Sequence, residues 1–141
     1  MFPLVGEQLY GIIPQRAPIV MIDALQELSE SGAYTLLTIR EDNIFCSGGQ
    51  LREPGLIEHV AQSAAAFAGY PNFESGLAPK LGYIGEIKRC LIHTLPAIGS
   101  TLQTHLTVMG EAAGVTLMRA ETKVGDELVL ECQMKIFLKE D

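Results

Sequence analysis

Every second residue from Leu128 to Leu138 is apolar, through Leu130, Cys132, Met134 and Ile136, while Glu127, Glu131, Gln133 and Lys135 fall between them. That period predicts a strand with one face on a core and the other on water. Residues Thr101 to Val108 alternate in the same way, with Leu102, Thr104, Leu106 and Val108 on one face and Gln103, His105 and Thr107 on the other. Pro96 and Gly99 mark a bend before this strand, and Gly125-Asp126 joins the last two strands. Tyr83 to His93 mixes apolar and charged residues and predicts another strand. Nearer the N-terminus, the apolar, β-branched run from Ile19 to Leu25 predicts a strand buried on both faces. A turn over Ser29 to Gly32 leads to a return strand, Tyr34 to Ile39. Residues 4–13 carry loose helical spacing that predicts a short helix ending before Pro14. Glu41 to Glu53 and Pro71 to Lys80 hold the turn formers of surface loops.

One stretch keeps neither period. From Pro54 to Gly69 the residues are small or apolar nearly all round, with five alanines from Ala61 onward. Proline is tolerated in a first helical turn and glycine favours a left-handed end, so the pattern predicts a helix opening at Pro54 and closing at Gly69. A helix without a charged face is a buried one. Glu58 and Gln62, four apart, place a carboxylate and a carboxamide on one face near its start. The element order is strand, strand, helix, then four strands in meander. The fold class that follows is α+β, an antiparallel β-sheet wrapped around one central Ala-rich α-helix, in a single domain over residues 1–141. Such a shape leaves little room for a deep pocket within one copy, so a ligand site is expected where two copies meet.

Composition narrows the classes. A chain of 141 residues buries about two-thirds of its unfolded surface and needs no staple. Cys46, Cys90 and Cys132 are odd in number and form no paired motif, as expected of buried thiols in a reducing, cytoplasmic setting. No signal-peptide pattern and no apolar run of ~18 residues is present, so no membrane partner is expected. A formal charge of −7 excludes non-specific binding of nucleic acid.

Four segments resemble the 3-hydroxyacyl-(acyl-carrier-protein) dehydratases, whose fold is the hot-dog fold. Ile13-Pro14-Gln15-Arg16 and the apolar run to Asp23 resemble the family's Leu-Pro-His-Arg segment. Pro54-Gly55 with Glu58-His59-Val60-Ala61-Gln62 resembles its Pro-Gly turn and Glu-Ala-Met-Ala-Gln helix start. Tyr83 to Arg89, and Leu95-Pro96-Ala97-Ile98-Gly99, resemble its next strand and bend. A closer likeness is to a divergent branch encoded with aryl-polyene or flexirubin-type pigment synthesis, which shares the Gly-x-x-Glu-x-x-Ala-Gln helix.

The resemblance implies loss of water from a 3-hydroxyacyl thioester in fatty-acyl or polyene biosynthesis, with no cofactor and no metal. That reaction needs a base for the α-proton, an acid for the hydroxyl and a donor for the thioester oxygen. The Gly55 amide, at a helix N-terminus, is expected as that donor. Glu58 reads either as the acid or as a cap of first-turn amides, with Gln62 supporting it in both cases. The family's histidine base stands on the loop before the helix. Here that stretch is Phe45-Cys46-Ser47-Gly48-Gly49-Gln50-Leu51, with Gly49 or Gln50 in its place, expected beside the substrate. The family's other histidine is Gln15. Of the histidines present, His59 points about 100° from Glu58 and is expected at a sheet or subunit contact. His105 is expected in solvent. His93, at a strand end, is the candidate replacement base. An acyl carrier protein or coenzyme A thioester is the expected partner. Arg16, Arg52, Lys80, Lys88 and Arg89 are the available cations, and Lys88-Arg89 is the pair expected to meet its phosphate. A homodimer or a heterodimer with a related hot-dog subunit is expected. Two other readings stand beside the dehydratase: a thioesterase that uses Glu58 with the Gln50 amide, and a non-catalytic subunit completing an active paralogue.

Overall fold

The computed structural model describes residues 2–77 and 82–138. Strand β1 (Leu4–Val5) is followed by a 3-10 helix (Gly6–Gly11), then β2 (Ala24–Ser29) and β3 (Gly32–Thr38). A small hairpin of β4 (Cys46–Ser47) and β5 (Gln50–Leu51) leads into α1 (Glu53–Glu74). Strands β6 (Gly82–Ile92), β7 (Thr101–Ala112), β8 (Val115–Val124) and β9 (Glu127–Leu138) complete the chain. The strands other than β4 and β5 form one antiparallel sheet in the order β1-β2-β3-β7-β8-β9-β6.

The expected architecture is present, with corrections. Only β7, β8 and β9 form a meander; β6 pairs with β9 at the far edge, because β3 offers its open edge to β7 from Gly32↔Thr107 to Thr38↔Thr101. The alternation of β7 is as read, and that of β9 holds from Leu130 on; a register shift opposite Thr122 and Lys123 leaves Val129 fully buried between Leu128 and Leu130. Leu102, Thr104, Leu106, Leu130, Cys132, Met134 and Ile136 are buried, Leu128 is half-buried, and the side chain of Leu138 lies outside the described residues. The N-terminal helix is a single 3-10 segment after a two-residue strand. Residues 19–23 form no sheet strand and Ile19 is 41 % exposed, but the consecutive Met21 and Ile22 are both buried, as are Ala24 and Leu25 at the start of β2.

Helix α1 begins one residue before Pro54 and runs past Gly69 and Pro71 to Glu74. Gly69 is therefore an interior residue rather than a cap. A Cβ there would stand 2.4 Å from the backbone oxygen of Ile12, so only glycine lets the N-terminal segment lie this close to the helix. Pro71 forfeits one helical hydrogen bond on an exposed turn, and the helix ends through Ser75 N–H to the Pro71 carbonyl and Gly76 N–H to that of Phe73. Of the expected 71–80 excursion, 71–74 are thus helical and 78–80 lie outside the described residues.

The helix divides the interior into two apolar clusters. Leu56, Val60 and Ala64 join Met21, Leu37, Leu102, Leu106, Met118 and Leu130 on one side. Ala66 and Tyr70 join Leu4, Leu9, Ile12, Ile13 and Leu25 on the other. Replacing Gly69 by Ala should lower stability by about 1–3 kcal/mol, against the ~1 kcal/mol that alanine gains in an unhindered helix. Equilibrium urea unfolding measures it, and an unchanged or raised midpoint would show that Ile12 yields without cost.

Candidate functional site

The start of α1 is built by the small hairpin. Gly48 and Gly49, at φ +64° and +78°, make the left-handed pair that a two-residue hairpin turn needs. The hairpin is fastened to the bend after β6: Leu51 N–H donates to the Pro96 carbonyl at 2.9 Å, and Ile98 N–H to that of Gly49 at 3.0 Å. Gln50 Nε2 donates to the Leu95 carbonyl at 3.3 Å. Gly49 and Gln50 therefore hold this junction together, with one hydrogen of the Gln50 amide directed to Leu95.

Gly55 departs from expectation in two respects. Its N–H donates to the Arg52 carbonyl at 2.9 Å, a tightened first turn that takes up the amide expected for a thioester oxygen. A Cβ on Gly55 would meet Leu51 Cδ1 and Phe45 Cβ at 2.6 Å each, so the group that approaches this glycine is the hairpin core.

Glu58 and Gln62 do meet. Gln62 Nε2 donates to Glu58 Oε1 at 2.9 Å, with Glu58 half-buried and Gln62 buried. The same carboxamide nitrogen donates to the Ile19 carbonyl at 2.8 Å, while Oε1 accepts the Met21 N–H at 2.6 Å. Since a backbone N–H can only donate, the amide orientation is fixed, and both Gln62 hydrogens are committed. One turn away, His59 is fully buried and touches the same segment: Nδ1 lies 2.7 Å from the Met21 carbonyl, and Nε2 2.8 Å from Thr104 Oγ1. A carbonyl only accepts, so Nδ1 carries the proton and Nε2 accepts from Thr104, whose oxygen then accepts from Thr122 Oγ1 at 2.6 Å. Burial pushes the His59 pKa down to about 4, despite the opposing influence of the Met21 carbonyl and Asp23. His59 thus makes the expected sheet contact, through a threonine pair whose signal in the sequence was a hydroxyl at an inward strand position.

The other candidates sit apart from this group. His93 Nε2 is 3.1 Å from Glu131 Oε2 on the neighbouring strand, and its N–H donates to the Val129 carbonyl, so it is paired with the sheet rather than with Glu58. His105 is half-buried and stacks on Tyr34, with ring centroids 4.2 Å apart, rather than standing in solvent. Lys88 lies 3.5 Å from Glu86, which Lys135 also holds at 3.3 Å. Desolvation would raise the Glu86 pKa, but Lys135 and Lys88 together bring it below its ordinary value. Arg89 is exposed and adopts φ +50° at a bulge between Lys88 and Leu91. Lys80 lies outside the described residues. Of the three thiols expected to be buried, only Cys132 is, and Cys46 and Cys90 are half-buried; desolvation raises the pKa of all three, that of Cys132 to about 12. Among the described residues, no cluster of metal-binding side chains occurs, and no helix is long and apolar enough to cross a membrane. A cavity of about 310 Å³ opens at the other end of α1, between Leu28, Phe67, Tyr70, Pro71 and Ile136.

A half-buried carboxylate on the Gly-x-x-Glu-x-x-Ala-Gln helix start accords with one family. A family model described as ApeP-like, ApeP dehydratase, matches residues 7–141. The chain belongs to this family of dehydratases. Among solved structures, it is similar to the dehydratase heterocomplex ApeI:P from Xenorhabdus doucetiae, with 16% identity and a TM-score of 0.84 over 94% of this chain and 91% of that one. It is also similar to Cj0977, a sigma28-regulated virulence protein from Campylobacter jejuni, with 11% identity, a TM-score of 0.72, and coverage of 91% and 83%. The PaaI protein of the E. coli phenylacetic acid degradation operon gives 15% identity, a TM-score of 0.63, and 80% of each chain. These likenesses show the hot-dog fold. A search of curated protein sequences finds no match. The ApeP-like assignment makes the protein dehydratase-like and agrees with the aryl-polyene resemblance.

His59 gives the fold a specific pH dependence. Its native pKa of about 4 lies below the ordinary ~6.5, so the unfolded chain binds the extra proton first. Its contribution to stability is complete above pH ~6.5 and is lost as pH falls toward 4, by up to about 3 kcal/mol. Urea unfolding at stepped pH should show this slope, and His59→Asn should flatten it; an equal slope in the variant would contradict it.

Proposed function

We propose that this chain is the dehydratase-like half of a two-subunit site that removes water from a 3-hydroxyacyl thioester, with a related hot-dog subunit supplying the base. The observation that carries the reading is the isolation of an oriented carboxylate. Gln62 fixes Glu58 Oε1, while the three histidines of the chain are engaged with Met21 and Thr104, with Glu131, and with Tyr34. In the reaction, a base on the partner takes the α-proton, the C3–O bond breaks, and Glu58 Oε2 delivers a proton to the departing hydroxyl, giving water and the trans-2-enoyl thioester. The acyl group is carried on acyl carrier protein or coenzyme A.

The described sheet offers a place for the partner. Strand β6 ends the strand order, hydrogen-bonded only to β9, and exposes Ile87 and Leu91. An unpaired edge bearing apolar side chains favours an intermolecular strand or helix there. The dehydratase heterocomplex with a TM-score of 0.84 supports pairing with a related subunit. A thioesterase finds less support, because Gln50 holds Leu95.

The test mixes this chain with a related hot-dog subunit and follows conversion of a 3-hydroxyacyl carrier to its enoyl product by mass spectrometry. The mixture should be active and this chain alone inactive. Glu58→Gln should lower the mixed rate by about 10²–10⁴-fold, the usual worth of a general acid. Full activity of that variant, or equal activity of this chain alone, would overturn the proposal.

A further inference from the structure

We infer that His59 is a positioning residue for Glu58, acting through the backbone of Met21 and the carboxamide of Gln62. The inference rests on the reading of Glu58 as the reacting carboxylate, and its structural half stands without it.

In an extended chain, the N–H and C=O of one residue point the same way, toward whatever strand lies alongside. At Met21 no strand lies alongside. Two side chains of α1 take its place: Gln62 Oε1 accepts the N–H at 2.6 Å, and His59 Nδ1–H donates to the carbonyl at 2.7 Å. Residues 59 and 62 are three apart, so they share one helix face and grip one residue between them. Gln62 has no spare hydrogen, because the second goes to the Ile19 carbonyl, and so its place relative to Glu58 is set by where residues 19–21 lie. His59 sets that place from the other end and is anchored to the sheet through Thr104 and Thr122. The hydrogen bonds thus run without a break from β8 to Glu58 Oε1, each with its donor assigned. The consequence for the reaction is that Oε1 is always an acceptor of the Gln62 N–H. The proton given to the hydroxyl is therefore carried on Oε2.

The two amide replacements for histidine separate positioning from mere packing. The asparagine nitrogen of His59→Asn falls near Nδ1 and keeps the donor to Met21. The glutamine nitrogen of His59→Gln falls near Nε2, faces Thr104, and leaves the Met21 carbonyl without its donor. Hydrogen exchange and side-chain amide NMR of this chain should show a Met21 N–H exchanging at least tenfold faster, and shifted Gln62 carboxamide signals, in His59→Gln but not in His59→Asn. In the mixed complex, His59→Gln should lower kcat by roughly 10–100-fold with KM changed less than about threefold, and His59→Asn should recover most of that loss. Wild-type Met21 exchange and Gln62 signals in a folded His59→Gln would overturn the inference, as would equal losses of kcat in the two variants. Full activity of Glu58→Gln would instead sink the functional reading and with it the positioning role, while the exchange difference between the two histidine variants would still stand.

Discussion

Met21 lies outside every strand, and the hydrogen-bonding neighbour of its backbone is a helix. Its two backbone polar groups are buried among Leu37, Ile39, Leu56 and Leu102, where an unpaired amide or carbonyl costs on the order of 1–3 kcal/mol. Gln62 and His59 remove that cost, and in doing so they fix how the 19–23 segment crosses α1. His59 and Gln62, two of the polar residues on this largely apolar helix, are thus explained by one requirement. Ser63 adds a third tie, its hydroxyl 2.7 Å from that of Thr35 on β3. The helix is joined to the sheet by hydrogen bonds as well as by packing, which gives it one rotation about its axis and one face for Glu58.

That fixed rotation is what makes Glu58 chemically interesting. A carboxylate in the first turns of a helix can serve as a cap, but here the acceptor of the first turn is the Arg52 carbonyl, and Glu58 is bonded to Gln62 instead. The hairpin packs Leu51 and Phe45 against the Cα of Gly55, whose N–H is held by the Arg52 carbonyl. One chain therefore carries an oriented carboxylate with no histidine bonded to it, and the Gly55 N–H is in use. A site finished by another subunit accounts for all three facts together.

The long strands were legible because a period of two leaves little choice of face, as in Leu130, Cys132, Met134 and Ile136. The helix was legible from Pro54 and its run of small and apolar residues, and its Glu58-Gln62 pair from their spacing of four. Its C-terminus was misread because Gly69 and Pro71 are local stop signals, and what overrides them is a contact with Ile12 far away in sequence. The 19–25 run is a sheet strand only at Ala24 and Leu25; 19–23 was misread because nothing in its own composition shows that helix side chains will satisfy Met21. Gly55 was read for its backbone freedom, whereas its neighbours Phe45 and Leu51 decide its identity. The position of β6 was hidden because strand order depends on which edges remain open after β3 and β7 have paired. Each miss concerns a contact between distant segments, and each correct reading concerns a periodicity within one.

The most direct measurement is a structure of this chain in complex with a related hot-dog subunit and an unreactive 3-hydroxyacyl thioester mimic. The account predicts Glu58 Oε2 within hydrogen-bond reach, ~3 Å, of the 3-hydroxyl, with a histidine of the other subunit at the α-carbon. A ligand bound elsewhere, or a 3-hydroxyl held by another residue while Glu58 faces solvent, would contradict it.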